Sequence, residues 1–405
     1  MPLRPLLLSA LACVLVGRAD EGMWTFDNLP KAQLKQKYGF EADQAWLDHV
    51  RLSALHWGGG SGSFVSKDGL VITNHHVGRG WIQRVSGPGA KDYIKHGFVA
   101  RNRTEEIKIP DATLRTLMQM ENISAQVAEA VKPGLDEKAA AKARSEAIEK
   151  LRAELEKKSG LSVSPVVLYQ GGETWLYAYK VHRDIRLVMA PEGQIAGFGG
   201  DPDNFTYPRH DLDFTLFRIY EDGKPFNPPH FLKWSTMGVK RGDLTFVVGH
   251  PGRTQRQITF AQMLYQRDTG YALSVRGSER RRADLYAYGK GSEEKMRQVR
   301  VPILGVENSL KAVQGYWTGL KDAAAMARVK AAEDELRAKV NENSELKALA
   351  GKSWERIEQA LNERKPLAQE LASVHSGYGA PLATAVNLLE GRKPRTAPKP
   401  ATELD

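Results

Sequence analysis

The pattern of apolar and polar positions divides the chain into a β-rich part and a helical part. Short apolar runs bounded by Gly, Pro and Asp predict strands, because a strand ends where turn residues follow. The predicted strands are residues 63–66, 70–73, 162–170, 174–181, 185–189, 214–220 and 244–248. Beyond about Thr259 these signals stop, and helical spacing of apolar residues predicts helices in 262–282, 293–320 and 322–374.

Two local signals refine this pattern. The Lys67-Asp68-Gly69 turn between two short apolar runs predicts a β-hairpin. Residues 123–158 are rich in Ala, Glu, Lys and Arg with apolar positions at helical spacing, which predicts an exposed helix or a helical pair broken at Pro133-Gly134. Residues 24–56 have a mixed, short-helical character.

Several short strands at this spacing favour a barrel or sandwich over alternating β and α units. The predicted fold class is therefore mainly β plus α. We expect a β-barrel domain over residues 20–260, an α-helical domain over residues 261–390 and a flexible basic tail over residues 391–405. Since strands that run out before a barrel closes leave unpaired edges, the Pro-rich ending suggests an interrupted connection.

The N-terminus predicts export. Arg4 provides a positive start, residues 6–16 are apolar, and small residues around Ala19 offer a cleavage site, so residues 1–19 are expected to be a signal peptide. The apolar run is too short to span a membrane as a mature helix. Lipidation of Cys13 is an alternative. Cys13 is the only cysteine, so a chain cleaved after Ala19 has neither a disulfide nor a thiolate metal site.

Composition and charge narrow the function classes. Hydrophobic residues make up 41% of the chain and charged residues 26%, which is typical of a globular protein with a large core. The net charge is +10, but basic residues are interspersed with acidic ones, as in residues 138–158. This pattern argues against nucleic-acid binding. No cofactor is predicted.

The first candidate for chemistry is the pair His75-His76, which follows an apolar strand and precedes Gly78-Arg79-Gly80. We expect the glycines to form a loop, so that one imidazole projects from a rigid strand end into a cleft, where a general base belongs. A metal site, a surface pair and a satisfied core histidine are alternatives. Metal binding is disfavoured, because no HExxH spacing or cysteine pair accompanies the histidines.

A second candidate is the glycine-serine run at residues 58–63, which imitates the turn that presents a nucleophile. Ser61 would have to meet a base fifteen residues later across a hairpin whose geometry is already fixed by strand pairing. The run is better interpreted as a glycine-rich entry to a strand.

The densest cluster of unusual residues is 197–214, where Gly and Pro fix an irregular path lined by polar and aromatic side chains. Such a loop is typical of substrate contacts, although an Asx-rich turn is the simpler alternative. Asp213 stands where a strand begins and is a candidate to orient an imidazole, and Asp211 competes with it.

Together these segments resemble a family, the bacterial dipeptidyl-peptidases 7 and 11, which are chymotrypsin-like serine peptidases. Four pieces carry the resemblance in the right order, over most of residues 20–319: residues 20–24, residues 63–76, residues 199–214 and Gly249-His250-Pro251-Gly252. The resemblance implies chymotrypsin-like barrels with an inserted helical domain. It also implies a periplasmic or cell-surface enzyme that acts on peptides with a free N-terminus and forms a homodimer.

The resemblance also implies roles for individual residues. His76 corresponds to the general base and Asp213 to its orienting partner. Asn204 and Asn308 resemble the asparagines that hold the free α-amino group of the substrate. Arg209 lines the substrate site, and Phe205 replaces a tryptophan often found beside it. These residues imply the release of dipeptides from peptide N-termini.

The chain departs from the family pattern in two ways. Val77 and Gly60 stand where relatives often have a pair of cysteines. More seriously, the nucleophile of the family lies in a Gly-Asn-Ser-Gly-Ser-type turn beyond the helical domain, and the chain reaches Asp405 without one. Ser376 lies in a helix-terminating turn and is a poor substitute. We therefore expect an inactive or split enzyme, with a fragment or a non-catalytic binder of free peptide N-termini as alternatives.

Overall fold

The computed structural model of this chain describes residue 20, residues 22–250 and residues 258–370. The predicted signal peptide, the predicted basic tail and Ser376 lie outside these residues. The chain divides into two compact units. Among the described residues, one unit comprises those up to Val85, Phe98–Ala190 and those from Phe214 to His250, and the other comprises Ser86–Gly97, Pro191–Asp213 and those from Ile258 onward.

The described residues form eleven strands and thirteen α-helices. The strands are β1 Ala54–Trp57, β2 Gly60–Phe64, β3 Leu70–Thr73, β4 Phe98–Val99, β5 Ile107–Lys108, β6 Leu114–Asn122, β7 Ser162–Leu168, β8 Glu173–His182, β9 Asp184–Ala190, β10 Thr215–Glu221 and β11 Lys224–Pro225. The α-helices are α1 Lys31–Tyr38, α2 Gln44–Ser53, α3 His75–Val85, α4 Tyr93–His96, α5 Ser124–Ala130, α6 Glu137–Ser159, α7 Gly193–Ala196, α8 Phe260–Tyr265, α9 Tyr271–Gly289, α10 Glu293–Gly319, α11 Ala323–Glu342, α12 Ser344–Ala350 and α13 Ser353–Arg364.

All the described strands belong to the first unit and join one antiparallel sheet. Their order is β4-β9-β10-β3-β2-β1-β6-β8-β7, with β11 beside β10 and β5 beside β9. The predicted β-hairpin is confirmed as β2 and β3, with Ser63 opposite Ile72. Gly69 closes its turn with φ +68°, and a Cβ there would lie 2.7 Å from the carbonyl oxygen of Phe226. Only glycine fits this turn without strain.

The predicted helical pair is confirmed as α5 and α6, which flank Pro133-Gly134. Asp136 caps α6 by accepting a hydrogen bond from the backbone N–H of Ala139 at 2.7 Å. Both helices pack on β7 and β8 through a buried apolar cluster, which is Ile123, Val127, Leu155, Val163, Leu176 and Ala178. Burial of this apolar face stabilises the α6 helix against the sheet.

The predicted strand at residues 244–248 is wrong, because these residues form no strand and pair with no described strand. Phe246 instead packs on the rings of Phe40 and Trp46, with centroids 5.3 and 5.1 Å away, while Val247 is fully exposed. Apolar β-formers make a strand only where a neighbouring strand accepts their hydrogen bonds.

The second unit is helical among its described residues, which confirms the predicted helices up to residue 370; the predicted helical residues 371–374 lie outside the described residues. The α10 helix runs through Pro302 without a break, close to its predicted bounds. Two earlier segments join this unit. Arg300 of α10 donates to the buried Asp92 at 2.9 Å, and the loop at 197–213 packs on α10 so closely that a Cβ on Gly199 would lie 3.0 Å from the carbonyl oxygen of Leu304. The unit is thus assembled from three stretches, unlike the predicted contiguous domain from residue 261.

Candidate functional site

The double histidine lies at the N-terminus of α3, directly after β3. His75 is buried, with 1% of its surface exposed, whereas His76 is exposed. Only the second histidine therefore reaches solvent, in agreement with the residue that the family resemblance selects. Backbone N–H groups of Val77 and Gly78 donate to the carbonyl oxygen of Asn74, which begins the helical turn under the pair.

The loop predicted at Gly78-Arg79-Gly80 is wrong, because both glycines lie inside α3. Gly78 is present for packing, not for a turn. A Cβ there would lie 2.8 Å from Cγ2 of Thr215 and 3.0 Å from the ring of Phe217. The absence of a side chain allows the helix that carries the histidines to approach β10 closely.

The register of β3 and β10 determines where the chain leaves the sheet. Thr73, the last residue of β3, lies opposite Thr215, the first residue of antiparallel β10. The C-terminal end of β3 and the N-terminal end of β10 are therefore at the same edge. His76 follows Thr73 by three residues, and Asp213 precedes Thr215 by two.

Ser61 has a structural contact in the same unit. Its Oγ accepts a hydrogen bond of 2.6 Å from the backbone N–H of His250, and its carbonyl oxygen accepts one from Thr73. The His250 ring packs edge-on against His56, with centroids 5.0 Å apart. Burial, followed by the charges of His56 and Arg115, lowers the pKa of His250 to about 4, so this imidazole is neutral at pH 7.

Gly60 and Val77 occupy neighbouring positions. A Cβ built on Gly60 would lie 2.8 Å from both methyl groups of Val77. The two positions that the resemblance associates with cysteines are thus adjacent, and the valine side chain lies directly against Gly60.

In the second unit, the loop at residues 197–213 brings together three of the predicted site residues. Asn204 is 1% exposed, and its Nδ2 donates to the carbonyl oxygen of Gly199 at 2.6 Å and to Oδ1 of Asn308 at 2.9 Å. Arg209 donates from Nη1 to Oδ1 of Asn204 at 3.0 Å. Asn308 lies on α10, so residues more than one hundred positions apart share one hydrogen-bonded network.

Asp211 forms an ion pair with Nη2 of Arg209, whose guanidinium also stacks on the ring of Phe198 at 4.1 Å. Asp211, the alternative candidate for orienting the histidine, is thus paired with Arg209 instead. Sequence reasoning did not anticipate this role for Asp211, or the stacking role of Phe198. The sequence feature that could have indicated the Arg209–Asp211 ion pair is the Arg-x-Asp spacing inside a glycine-rich loop.

Phe205 differs from its neighbours in this network. Its backbone has φ +63° and its side chain is 60% exposed, next to the buried Asn204. Left-handed backbone is uncommon in a bulky residue and requires support from the surrounding structure. Here the turns on either side provide it, since Asn204 N–H donates to Asp201 and Thr206 N–H donates to Asp203. Tyr207 is also exposed, so the loop presents two aromatic rings to solvent.

Among the described residues, no three His, Cys, Asp or Glu side chains are grouped to hold a metal ion. None of the helices in this part of the chain has the length and apolar character needed to cross a membrane.

Comparison with known proteins gives relatives that are consistent with each other. Dipeptidyl-peptidase 7 from Porphyromonas endodontalis is 34% identical over 281 residues, which cover 64% of this chain and 34% of that protein. An Asp/Glu-specific dipeptidyl-peptidase from Capnocytophaga gingivalis is 35% identical over 259 residues, which cover 59% of this chain and 36% of that protein. The chain therefore spans little more than a third of the length of these relatives.

A solved structure confirms the predicted fold class. The crystal structure of Porphyromonas endodontalis DPP11 in complex with the dipeptide Arg-Asp matches with a TM-score of 0.77 and 22% sequence identity, and the match covers 89% of this chain and 55% of that one. The family model described as Peptidase S46 matches residues 19–401. Because that match covers nearly the whole sequence, the chain belongs to the peptidase S46 family.

Proposed function

We propose that this chain provides the general base and the amine-binding site of a serine-type dipeptidyl-peptidase that releases dipeptides from peptide N-termini. His76 takes the proton of the serine nucleophile, and Asp213 holds the imidazole in the correct tautomer and stabilises the imidazolium. Asn204, Arg209 and Asn308, with Phe205 beside them, bind the free N-terminus of the substrate. Two curated relatives, one named dipeptidyl-peptidase 7 and the other an Asp/Glu-specific dipeptidyl-peptidase, support this activity.

The observation that carries the proposal is the network around Asn204. Two amides and a guanidinium are held in one hydrogen-bonded arrangement beside an exposed aromatic ring, with Asn204 buried and Arg209 and Asn308 partly exposed. A polar network of this kind on an irregular loop holds its donors and acceptors in fixed directions, which supports a binding role. Anchoring of the peptide amine positions only the second peptide bond for attack, which favours dipeptide release.

The catalytic half of the proposal is supported by the register of the sheet. His76 and Asp213 belong to segments that leave the β3–β10 pair at the same edge, and His76 is exposed. A general base must be accessible to the proton that it removes.

For a polypeptide of these 405 residues alone, we expect peptide binding without turnover. These 405 residues contain no Gly-Asn-Ser-Gly-Ser-type segment, and removal of a triad serine leaves only residual catalysis. The test is calorimetry with the tripeptide Ala-Ala-Ala and its N-acetylated form, combined with mass spectrometry of the products. We expect saturable binding of the free peptide only.

The possible outcomes separate the two halves of the proposal. Equal binding of the free and acetylated peptides would contradict the amine site. If dipeptide is released, His76→Ala and Asp213→Ala should abolish the release, and turnover that survives His76→Ala would contradict the assigned base. Ser61→Ala and Ser376→Ala are the matched controls for a substitute nucleophile.

A second candidate function is non-catalytic capture of free peptide N-termini. It is favoured by the completeness of the Asn204 network, which uses only residues of this chain. Binding with no turnover, even after addition of a polypeptide that carries the serine-bearing segment, would support it and would contradict the catalytic role of His76.

We also propose that the protein is exported, on the basis of the apolar run at residues 6–16 and the small residues that follow. Fractionation of cells that express the chain, with N-terminal sequencing of the product, tests this. A mature protein that still begins at Met1 in the cytoplasm would contradict it.

A further inference from the structure

Four polar side chains of the loop and α10 form a continuous chain of hydrogen bonds. Asp211 pairs with Nη2 of Arg209, Nη1 of Arg209 donates to Oδ1 of Asn204, and Nδ2 of Asn204 donates to Oδ1 of Asn308. Each link joins a different pair of residues. Through this series of hydrogen bonds, the position of the Asp211 carboxylate determines the orientation of the Asn308 amide.

The direction of this chain is fixed by chemistry. A guanidinium has five N–H donors and no acceptor, so the side of Asn204 that faces Arg209 must be its oxygen. The nitrogen of Asn204 then faces the carbonyl oxygen of Gly199 and the side chain of Asn308. Because Nδ2 of Asn204 is a donor, Asn308 must accept with its Oδ1, and Nδ2 of Asn308 consequently points away from Asn204.

Burial makes the Asp211–Arg209 pair a specific anchor. Their side chains are 11% and 21% exposed, so neither is readily solvated in place of its partner. The Phe198 ring, 4.1 Å from the guanidinium, restricts the remaining freedom of Arg209. The second carboxylate oxygen of Asp211 is buried and accepts no hydrogen bond from the described residues. Among the described residues, the Asp211 carboxylate thus accepts hydrogen bonds only from Arg209.

We infer that Asp211 is a positioning residue that fixes, through Arg209 and Asn204, which atoms Asn308 offers to a peptide. Asn308 is partly exposed, and its Nδ2 donates to no described residue. This nitrogen suits the carbonyl oxygen of the first residue of the peptide, while unused lone pairs on the two amide oxygens accept from the α-ammonium group. The inference rests on the proposed function in that the ligand is a peptide with a free N-terminus.

One arm of the test needs no ligand. In the full chain labelled with ¹⁵N-asparagine, hydrogen exchange of the Nδ2 protons of Asn204 is compared between the wild type, Asp211→Ala and Asp203→Ala. Asp203 lies on the same loop with an exposed side chain, which makes its substitution a matched control. We expect the Nδ2 protons of Asn204 to exchange about tenfold faster in Asp211→Ala than in the wild type, as for loss of a hydrogen bond to a charged group. In the Asp203→Ala control we expect the wild-type exchange rate. Unchanged exchange in Asp211→Ala would overturn the inference.

The second arm measures binding of Ala-Ala-Ala and N-acetyl-Ala-Ala-Ala by calorimetry. We expect Asp211→Ala to weaken binding of the free peptide about tenfold and to reduce its advantage over the acetylated peptide. Asp211→Asn, which retains an acceptor oxygen, should lie between Asp211→Ala and the wild type. A merely structural role would not change the ratio of the two affinities while thermal unfolding remains cooperative.

The two arms distinguish failure of the inference from failure of the proposed function. If the wild type binds the free peptide and Asp211→Ala binds it equally well, the inference is wrong and the proposed function stands. If Asp211→Ala alters the exchange of Asn204 but the wild type binds no peptide, the positioning role of Asp211 is supported and the proposed amine site is wrong.

Discussion

Gly78 of α3 lies directly against Thr215 of β10, and a Cβ built on the glycine would be 2.8 Å from Cγ2 of the threonine. The same Cβ would be 3.0 Å from the ring of Phe217, which is fully buried. Since neither neighbour is the free end of a flexible side chain, an added methyl group must displace the helix. The position of His75 and His76 in the first turn of α3 thus depends on a glycine that the sequence pattern suggested for a loop.

Gly78→Ala is expected to lower the free energy of unfolding by about 1–2 kcal/mol, because overpacking exceeds the gain in helix propensity. Gly80→Ala is the matched control. It lies on the same helix with no atom within 4 Å of the added Cβ, so it should raise the free energy of unfolding by about 0.5–1 kcal/mol. Urea titration of both variants measures the difference. Effects of the same sign would contradict the close packing of α3.

Asn204→Ala is expected to lower the free energy of unfolding by about 1–3 kcal/mol. The substitution leaves a donor of Arg209 and the carbonyl oxygen of Gly199 without their partner in a buried setting. Asn227→Ala removes the same amide from an exposed position and should change the stability by less than about 0.5 kcal/mol. Thermal unfolding of the two variants makes the comparison, and similar midpoints would show that the Asn204 network contributes nothing to stability.

Glu106 provides a contrast between a buried and a surface ion pair. Its carboxylate, 3% exposed, accepts from Nε of Arg218 at 2.9 Å and from the hydroxyl of Tyr220 at 2.8 Å. Glu106→Ala leaves a buried guanidinium uncompensated and should cost about 3–5 kcal/mol. Glu221→Ala breaks an exposed pair with Lys180 and should cost less than about 1 kcal/mol. Urea titration in low and high salt distinguishes them, since screening should affect only the exposed pair.

Local patterns predicted those parts of the fold that depend on neighbouring residues. The hairpin around Gly69 and the two helices flanking Pro133-Gly134 follow from turn chemistry and spacing alone. The predicted strand at 244–248 failed because strand formation needs a partner elsewhere in the chain. The glycines of α3 were misinterpreted because the same residue type serves loops and close packing, and only the position of Thr215 decides between them.

The candidate site shows the same limit. Asn204 and Arg209 are close in sequence and could be placed in one loop, and the family resemblance identified Asn308. The bond between Asn204 and Asn308 joins the loop to α10, so no spacing rule reveals it. Asp211 was weighed as a partner of the histidine because it is a carboxylate near a strand, whereas its ion pair with Arg209 depends on the path of the loop.

His182 should make the first unit sensitive to acid. It is 4% exposed, its Nε2 lies 3.0 Å from Oγ1 of Thr116, and burial lowers its pKa from 6.5 to about 4. An unfolded chain binds a proton at this histidine near pH 6.5, whereas the folded chain binds it only near pH 4. The free energy of unfolding should therefore fall as the pH drops through this window, by at most about 3 kcal/mol for this residue.

His182→Gln retains a hydrogen-bonding side chain and removes the titration, so it should flatten the pH dependence of stability between about pH 6.5 and pH 4. His96→Gln is the control, since His96 is exposed and lies outside the sheet. Urea titrations at several pH values in this window give the slope for each variant. The remaining slope in His182→Gln should include His250, whose pKa burial also lowers to about 4, and His56 and His49, whose pKa values burial lowers as well. If His182→Gln retained the full wild-type slope, the imidazole of His182 would have to be solvated in the folded protein, contrary to its position between the rings of Phe64 and Phe226.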